Sequence, residues 1–176
     1  MPLPTSHGFL GAAIVAAIHP KINRVFTIPL FLGGFLANVA DIDFVLYLPG
    51  DLGFNLLADY QWHRGFTHSF LFSILVFLAI ALYLGRDQLQ ASAAYGIAYF
   101  SHILLDYFTS TRGGGLELFW FLSDKRYQFG LIGLSEEPLR MSILEIIQAL
   151  GFEALLFGLL FAFVYYARKI FYQVRH

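Results

Sequence analysis

The chain has 176 residues, room for one domain and not for two, and 58% of them are hydrophobic while only 13% are charged. So few charges cannot clothe a water-soluble surface, so lipid must solvate much of the exterior. The formal net charge of −1 excludes the basic face that nucleic acid requires, and the absence of cysteine excludes disulfides, thiolate zinc sites and a cysteine nucleophile.

In chain order, Ser6–Ile18 predicts a short, partly buried first helix whose Gly11-Ala12-Ala13 and Ala16-Ala17 suit close packing in a membrane. Its apolar run Phe9–Ile18 has the length of a signal-peptide core, but no positive residue precedes it, so it reads as mature protein. Pro20 and Pro29 bracket the first connection, where fixed φ and a missing donor favour a break. Pro29–Leu48 predicts a second helix, ended by Pro49-Gly50 and carrying Asn38, Asp41 and Asp43 toward its end.

The longest uncharged stretch, Phe66–Leu84, predicts a crossing of the hydrocarbon core, which takes about 20 helical residues. A polar turn, Gly85–Gln90, leads into a further crossing over Ala91–Phe108. Thr109–Arg140 holds no clean crossing; its Gly113-Gly114-Gly115 and Phe119-Trp120-Phe121 suit an interfacial loop or short helix. Ile143–Tyr166 is the last crossing, with Glu145, Gln148 and Glu153 near its start. The predicted fold is all-α, a polytopic membrane helical bundle of four to five helices in one domain spanning residues 1–176.

Threaded back and forth, this bundle brings polar residues to one end. His7 starts the first helix, Asp41 and Asp43 end the second, His63 and His68 start the third, and His102 and Asp106 end the fourth. Ionisable groups in such surroundings are costly and mark function by default. Imidazole and carboxylate are also the side chains that borderline divalent metals accept. His102 and Asp106, four residues apart, project from one helical face and can touch one ion; a hydrogen bond satisfying two buried groups is the alternative.

His63 and His68 are five apart, and Gly65 between them permits a loop-to-helix transition with His68 in the first helical turn. Thr67 and Ser69 are the expected caps of that helix, and Ser69 is also a candidate nucleophile. Asp41 and Asp43 diverge by about 200° on a regular helix, so both reach one site only where the helix unwinds. One is then a ligand and the other a supporting partner or general base. Seven candidates exceed one tetrahedral zinc and suit two ions, or one ion with its supporting shell.

The combination of His7, Asp41-Ile42-Asp43, His63-Arg64-Gly65-Phe66-Thr67-His68-Ser69 and His102-Ile103-Leu104-Leu105-Asp106 resembles the membrane-bound metal-dependent hydrolases of the YdjM/YbcI type. The glycine-rich turn followed by Leu118-Phe119-Trp120 resembles that family's continuation, and the likeness covers roughly residues 1–130. Ala40 and Phe121 stand where the family often has proline; neither change removes a ligand. A more distant likeness is to zinc-dependent phospholipase C, which also spreads His and Asp ligands over helices. The resemblance implies a helical protein of the prokaryotic inner membrane, with Asp41, His63, His68, His102 and Asp106 as ligands and His7 and Asp43 nearby.

The expected function is a metal-dependent hydrolase acting on a phospholipid-like or other lipid ester through metal-activated water. The expected cofactor is zinc, with manganese as the alternative, as one or two ions. Asp43 and Arg64 are the expected catalytic groups, Asp43 as base, with Asp106 as the alternative base, and Arg64 steadying an anionic substrate. Membrane lipid and a small-molecule or lipid substrate are the expected partners. The rivals are an amide hydrolase using Ser69, a metal or proton permease, and a non-catalytic protein with a structural metal. Six Lys and Arg fall on the far side against five on the site's side, which points the site away from the cytoplasm.

Overall fold

A computed structural model describes residues 2–20, 22, 25, 27–47, 64–109, 115–131 and 142–175. Five α-helices make up the described fold: α1 Pro4–Ile18, α2 Ile28–Val39, α3 Phe70–Leu84, α4 Leu89–Thr109 and α5 Ile143–Arg175. No strand occurs among the described residues beyond one isolated bridge, Leu116 to Tyr127.

Pro29 lies inside the first turn of α2 rather than before it, where its missing donor costs nothing. The second predicted helix stops at Val39 and tightens into a 3-10 segment, Ala40–Tyr47, so the expected unwinding begins just ahead of Asp41. The predicted crossing from Phe66 is also corrected. Residues Phe66–His68 form a separate 3-10 turn and α3 begins at Phe70, because the Ser69 backbone is extended and its hydroxyl accepts the Phe72 amide. Thr67 therefore caps nothing, and α3, with 15 residues, reaches only about 22 Å.

Gly85, at φ 83, lets the axis turn through 119° between α3 and α4; among the described residues α5 is the single helix long and apolar enough by itself to cross a membrane, over Ile143–Phe171, and α3 with α4 passes the same measure only as a bent pair.

The bundle core is built on α1. It meets α2 at backbone distance: a Cβ on Gly33 would lie 2.9 Å from Val15 Cβ and 3.0 Å from the Gly11 carbonyl. It meets α4 through Val15, Ala16, Ala91, Ala94 and Ala98, all buried. It meets α5 at both ends. Glu153 Oε2 accepts the Leu3 amide at 2.8 Å and the Ser6 hydroxyl, while the Arg168 guanidinium donates to the Ala16 carbonyl.

α1 and α5 are therefore parallel, with an acid at the first helix's N-terminus and a base at its C-terminus, the arrangement that opposes its macrodipole. Because Glu153 meets the start of α1, the ten residues Ile143–Phe152 run about 15 Å past it.

Gly33→Ala is expected to lower thermal stability in detergent by about 1–3 kcal/mol, through overpacking against Val15 and Gly11. Gly151→Ala, whose new methyl would meet nothing within 4 Å, is expected to leave it unchanged or raise it by up to about 1 kcal/mol. Circular dichroism melts of both variants check the pair.

Candidate metal centre

Five of the sequence-derived candidates converge at the end of the bundle where α1 starts and α4 finishes. His7 is held by α1, Asp41 by the 3-10 segment after α2, His68 by the turn before α3, and His102 and Asp106 by α4. His7, His68, His102 and Asp106 are fully buried, whereas the Asp41 side chain is 21% exposed and marks the described opening of the cluster. His63 lies outside the described residues.

Each ring is oriented from behind. His102 Nδ1 lies 2.7 Å from the Ala37 carbonyl. A carbonyl only accepts, so Nδ1 carries a proton, and in the neutral ring Nε2 presents a lone pair to the cluster. For His68 the order is set through Thr67. The threonine hydroxyl donates to Asp43 Oδ2 at 2.9 Å, so at 3.0 Å from His68 Nδ1 it accepts. The His68 proton is thereby fixed on Nδ1, and its Nε2 also turns a lone pair inward.

The two Nε2 atoms are 3.1 Å apart, and Asp41 Oδ1 lies 3.4 Å from that of His68 and 3.3 Å from that of His102. Asp106 Oδ2 stands farther off, at 3.9 Å from His68 Nε2 and 3.8 Å from His102 Nε2. A tetrahedral ion with ligands at 2.0–2.1 Å sets its ligands about 3.3–3.4 Å apart, a spacing close to that of the Asp41, His68 and His102 donors. A second grouping, His7, His102 and Asp106, shares His102; its His7 ring stacks on that of His102 at 3.7 Å, and His7 Nε2 is 3.4 Å from Asp106 Oδ1.

Arg64 is 3% exposed and has φ 63, with Nε 3.5 Å from Asp106 Oδ2. Asp43 stands apart from the other donors, behind the His68 ring at 3.8 Å from Nδ1, where it accepts the Arg64 amide and the Thr67 hydroxyl. Of the ten buried polar side-chain atoms without a hydrogen-bond partner among the described residues, seven belong to His7, Asp41, Arg64 and Asp106. Unmade hydrogen bonds concentrated at one spot mark it as a place for something other than protein.

Sequence reasoning assigned no role to Glu153 and took Thr67 for a helix cap. Glu153 is fully buried and holds Ser6, the residue before His7, so it fixes where the first histidine enters the cluster. A carboxylate inside the last apolar crossing was the available signal. Thr67 offered none, since capping and ring orientation draw on the same hydroxyl.

Helices throughout the described residues, long exposed apolar faces and a largely buried His/Asp cluster are the features of a membrane helical bundle. Residues 1–175 match the YdjM inner membrane protein family, and the chain belongs to that family. It is similar to the inner membrane protein YbcI of Escherichia coli strain K12, 31% identical over 135 residues that cover 72% of each chain. No solved structure matches it. Its location is accordingly the bacterial inner membrane.

Glu153→Leu is expected to strand the Leu3 amide and the Ser6 hydroxyl, at about 1–3 kcal/mol for each donor, whereas Glu153→Gln keeps an acceptor and loses less. Thermal melts in detergent, comparing the two variants, check this.

Proposed function

We propose that the cluster holds a divalent metal ion, zinc first and manganese second, and that the chain is a membrane-bound hydrolase of a phospholipid-like ester. The observation that carries the reading is the approach of His68 Nε2 and His102 Nε2 to 3.1 Å, with the Thr67 hydroxyl and the Ala37 carbonyl placed to hold a proton on each ring's far nitrogen. Two unprotonated nitrogens at that distance repel unless a proton or a metal ion lies between them.

Charge calls for a cation at the site. Asp41, Asp43 and Asp106 against Arg64 leave two negative charges among the described site residues, with the imidazoles neutral, and burying them unbalanced is costly. Asp41, His68 and His102 are the proposed ligands with Asp106 completing the set; His7 and Asp106 leave room for a second ion. His63 is carried as a further ligand on the family resemblance alone.

Such an ion supplies Lewis-acid chemistry, polarising the ester oxygen and making water a nucleophile near neutral pH. The chain's own groups do the rest. Arg64 steadies an anionic oxygen of the substrate, and Asp106, between His7 and Arg64, accepts a proton. Asp43 moves from the expected role of base to one of orientation, because it faces the back of the His68 ring.

The permease reading loses ground because the core between the site and the far end is apolar: Val15, Ala16, Leu30, Ala91, Ala94 and Ala98. The Ser69 hydroxyl donates to the Phe66 carbonyl at 2.7 Å and accepts the Phe72 amide, which leaves it spent as a cap.

Elemental mass spectrometry of detergent-purified protein is expected to find one or two ions, lost in His68→Ala and in His102→Ala. Thr67→Val is expected to keep the fold and weaken metal affinity by about 10–100-fold, as loss of a ligand's orienting partner does. A well-folded, reloaded protein without metal overturns the site.

Metal-loaded protein in vesicles is expected to release product from a phospholipid-like ester, and Arg64→Gln to slow it. Metal bound with no lipid turned over would retain the site and overturn the hydrolase.

A further inference from the structure

Residues Gly115–Leu131 fold back over the site end of the bundle. The Glu117 amide donates to the Arg64 carbonyl and the Phe70 amide to the Leu118 carbonyl, both at 3.0 Å, while Leu116 and Leu118 are buried with Ala40, Tyr99 and Ile103. Gly115, at φ 77, has no room for a Cβ, which would lie 2.8 Å from the Tyr127 carbonyl. The segment is thus packed as a cover whose inner side is tied to the residue that carries the buried guanidinium.

Its outer side carries an apolar turn, followed by the exposed Asp124 and Lys125. Phe121 is 79% exposed and Leu122 82%, and Phe121 is held outward at φ 80, a conformation that a residue with a side chain rarely adopts. The Trp120, Leu122 and Ser123 amides are all bonded within the turn, to Glu117 and Phe119 carbonyls, so the turn can meet lipid without stranding those donors. The Phe119 ring packs edge-on against Phe70, the first residue of α3, at 5.4 Å. The exposed turn therefore continues the outward apolar face of α3, formed by Leu71, Ile74, Leu75 and Leu78.

The depth agrees. If Arg168 marks the far boundary of the hydrocarbon, a core of about 20 residues places the near boundary close to Gln148 on α5. Glu153, and with it the start of α1, then lies about 7 Å inside that boundary. The site is thus shallow in the hydrocarbon rather than out among the headgroups, and the turn beside it falls in the layer where aromatic side chains gather.

We propose that the Gly115–Leu131 loop is a lid seated in lipid: its Phe119–Leu122 turn docks into the boundary between acyl chains and headgroups, and its inner side closes over Arg64. The occupant of the apolar face is the membrane itself. A lipid entering the site from that leaflet displaces a cover already in contact with lipid, not one facing water. The seating of the turn in lipid does not depend on the metal or on hydrolysis; the entry of a lipid beneath it rests on the proposed function.

The cysteine-free chain permits single nitroxide labels at Leu122→Cys and, separately, Phe121→Cys, in phospholipid vesicles, with Leu78→Cys as the lipid-facing control and Asp87→Cys as the aqueous one. Collision with oxygen and with a nickel chelate is read by electron paramagnetic resonance. The expected result is that both turn labels favour oxygen over nickel, in the same sense as Leu78. Labels that favour nickel, as at Asp87, overturn the proposal. Labels shielded from both relaxants overturn it too, in favour of a protein partner on that face.

Discussion

Everything at the site end of this bundle follows from the cost of carrying charge where water is scarce. Asp43 and Asp106 are buried, and Asp41 is open only in part. Each is reached by donors or by imidazole rings drawn from a different element, and this brings α1, the segment after α2, the turn before α3 and the end of α4 to one point. The small residues where α1 meets α4, Ala16, Ala91, Ala94 and Ala98, serve the same end, since they let His7 of α1 and His102 of α4 stack at 3.7 Å.

The orientation of the rings is the second consequence. Neither histidine chooses its tautomer by itself: the Ala37 carbonyl chooses for His102, and Asp43, through Thr67, chooses for His68. Two aspartates that stand two apart in sequence therefore act on opposite sides of one ring, Asp41 at Nε2 and Asp43 at Nδ1. The break in helical geometry at Ala40 separates those roles, because it takes the pair off a regular α-helix.

Much of this was legible in the residues. Apolar runs and their punctuation located the helices, and alternation of direction placed His7, Asp41, His68, His102 and Asp106 together without any knowledge of contacts. What escaped was whatever depended on distant partners. The length of α3 was overread because Phe66, Thr67 and His68 are apolar or uncharged and continue the run, while the break is made by the extended backbone at Ser69. Asp43 looked equivalent to Asp41, since nothing local says which side of a ring a carboxylate will meet. Glu153 looked like one of three polar residues at the start of a helix; its partners lie about 150 residues earlier in the chain.

That last contact bears on the order in which the molecule can be completed. During synthesis α1 emerges first and α5 last, yet the acceptor for the Leu3 amide and the Ser6 hydroxyl, and the donor to the Ala16 carbonyl, all reside on α5. Until that helix arrives, the beginning of the chain lacks these partners, and the residue before His7 has nothing from α5 to hold it. Final assembly of the cluster is thereby coupled to the arrival of α5, and the polar centre takes its finished form only in a chain translated through that helix.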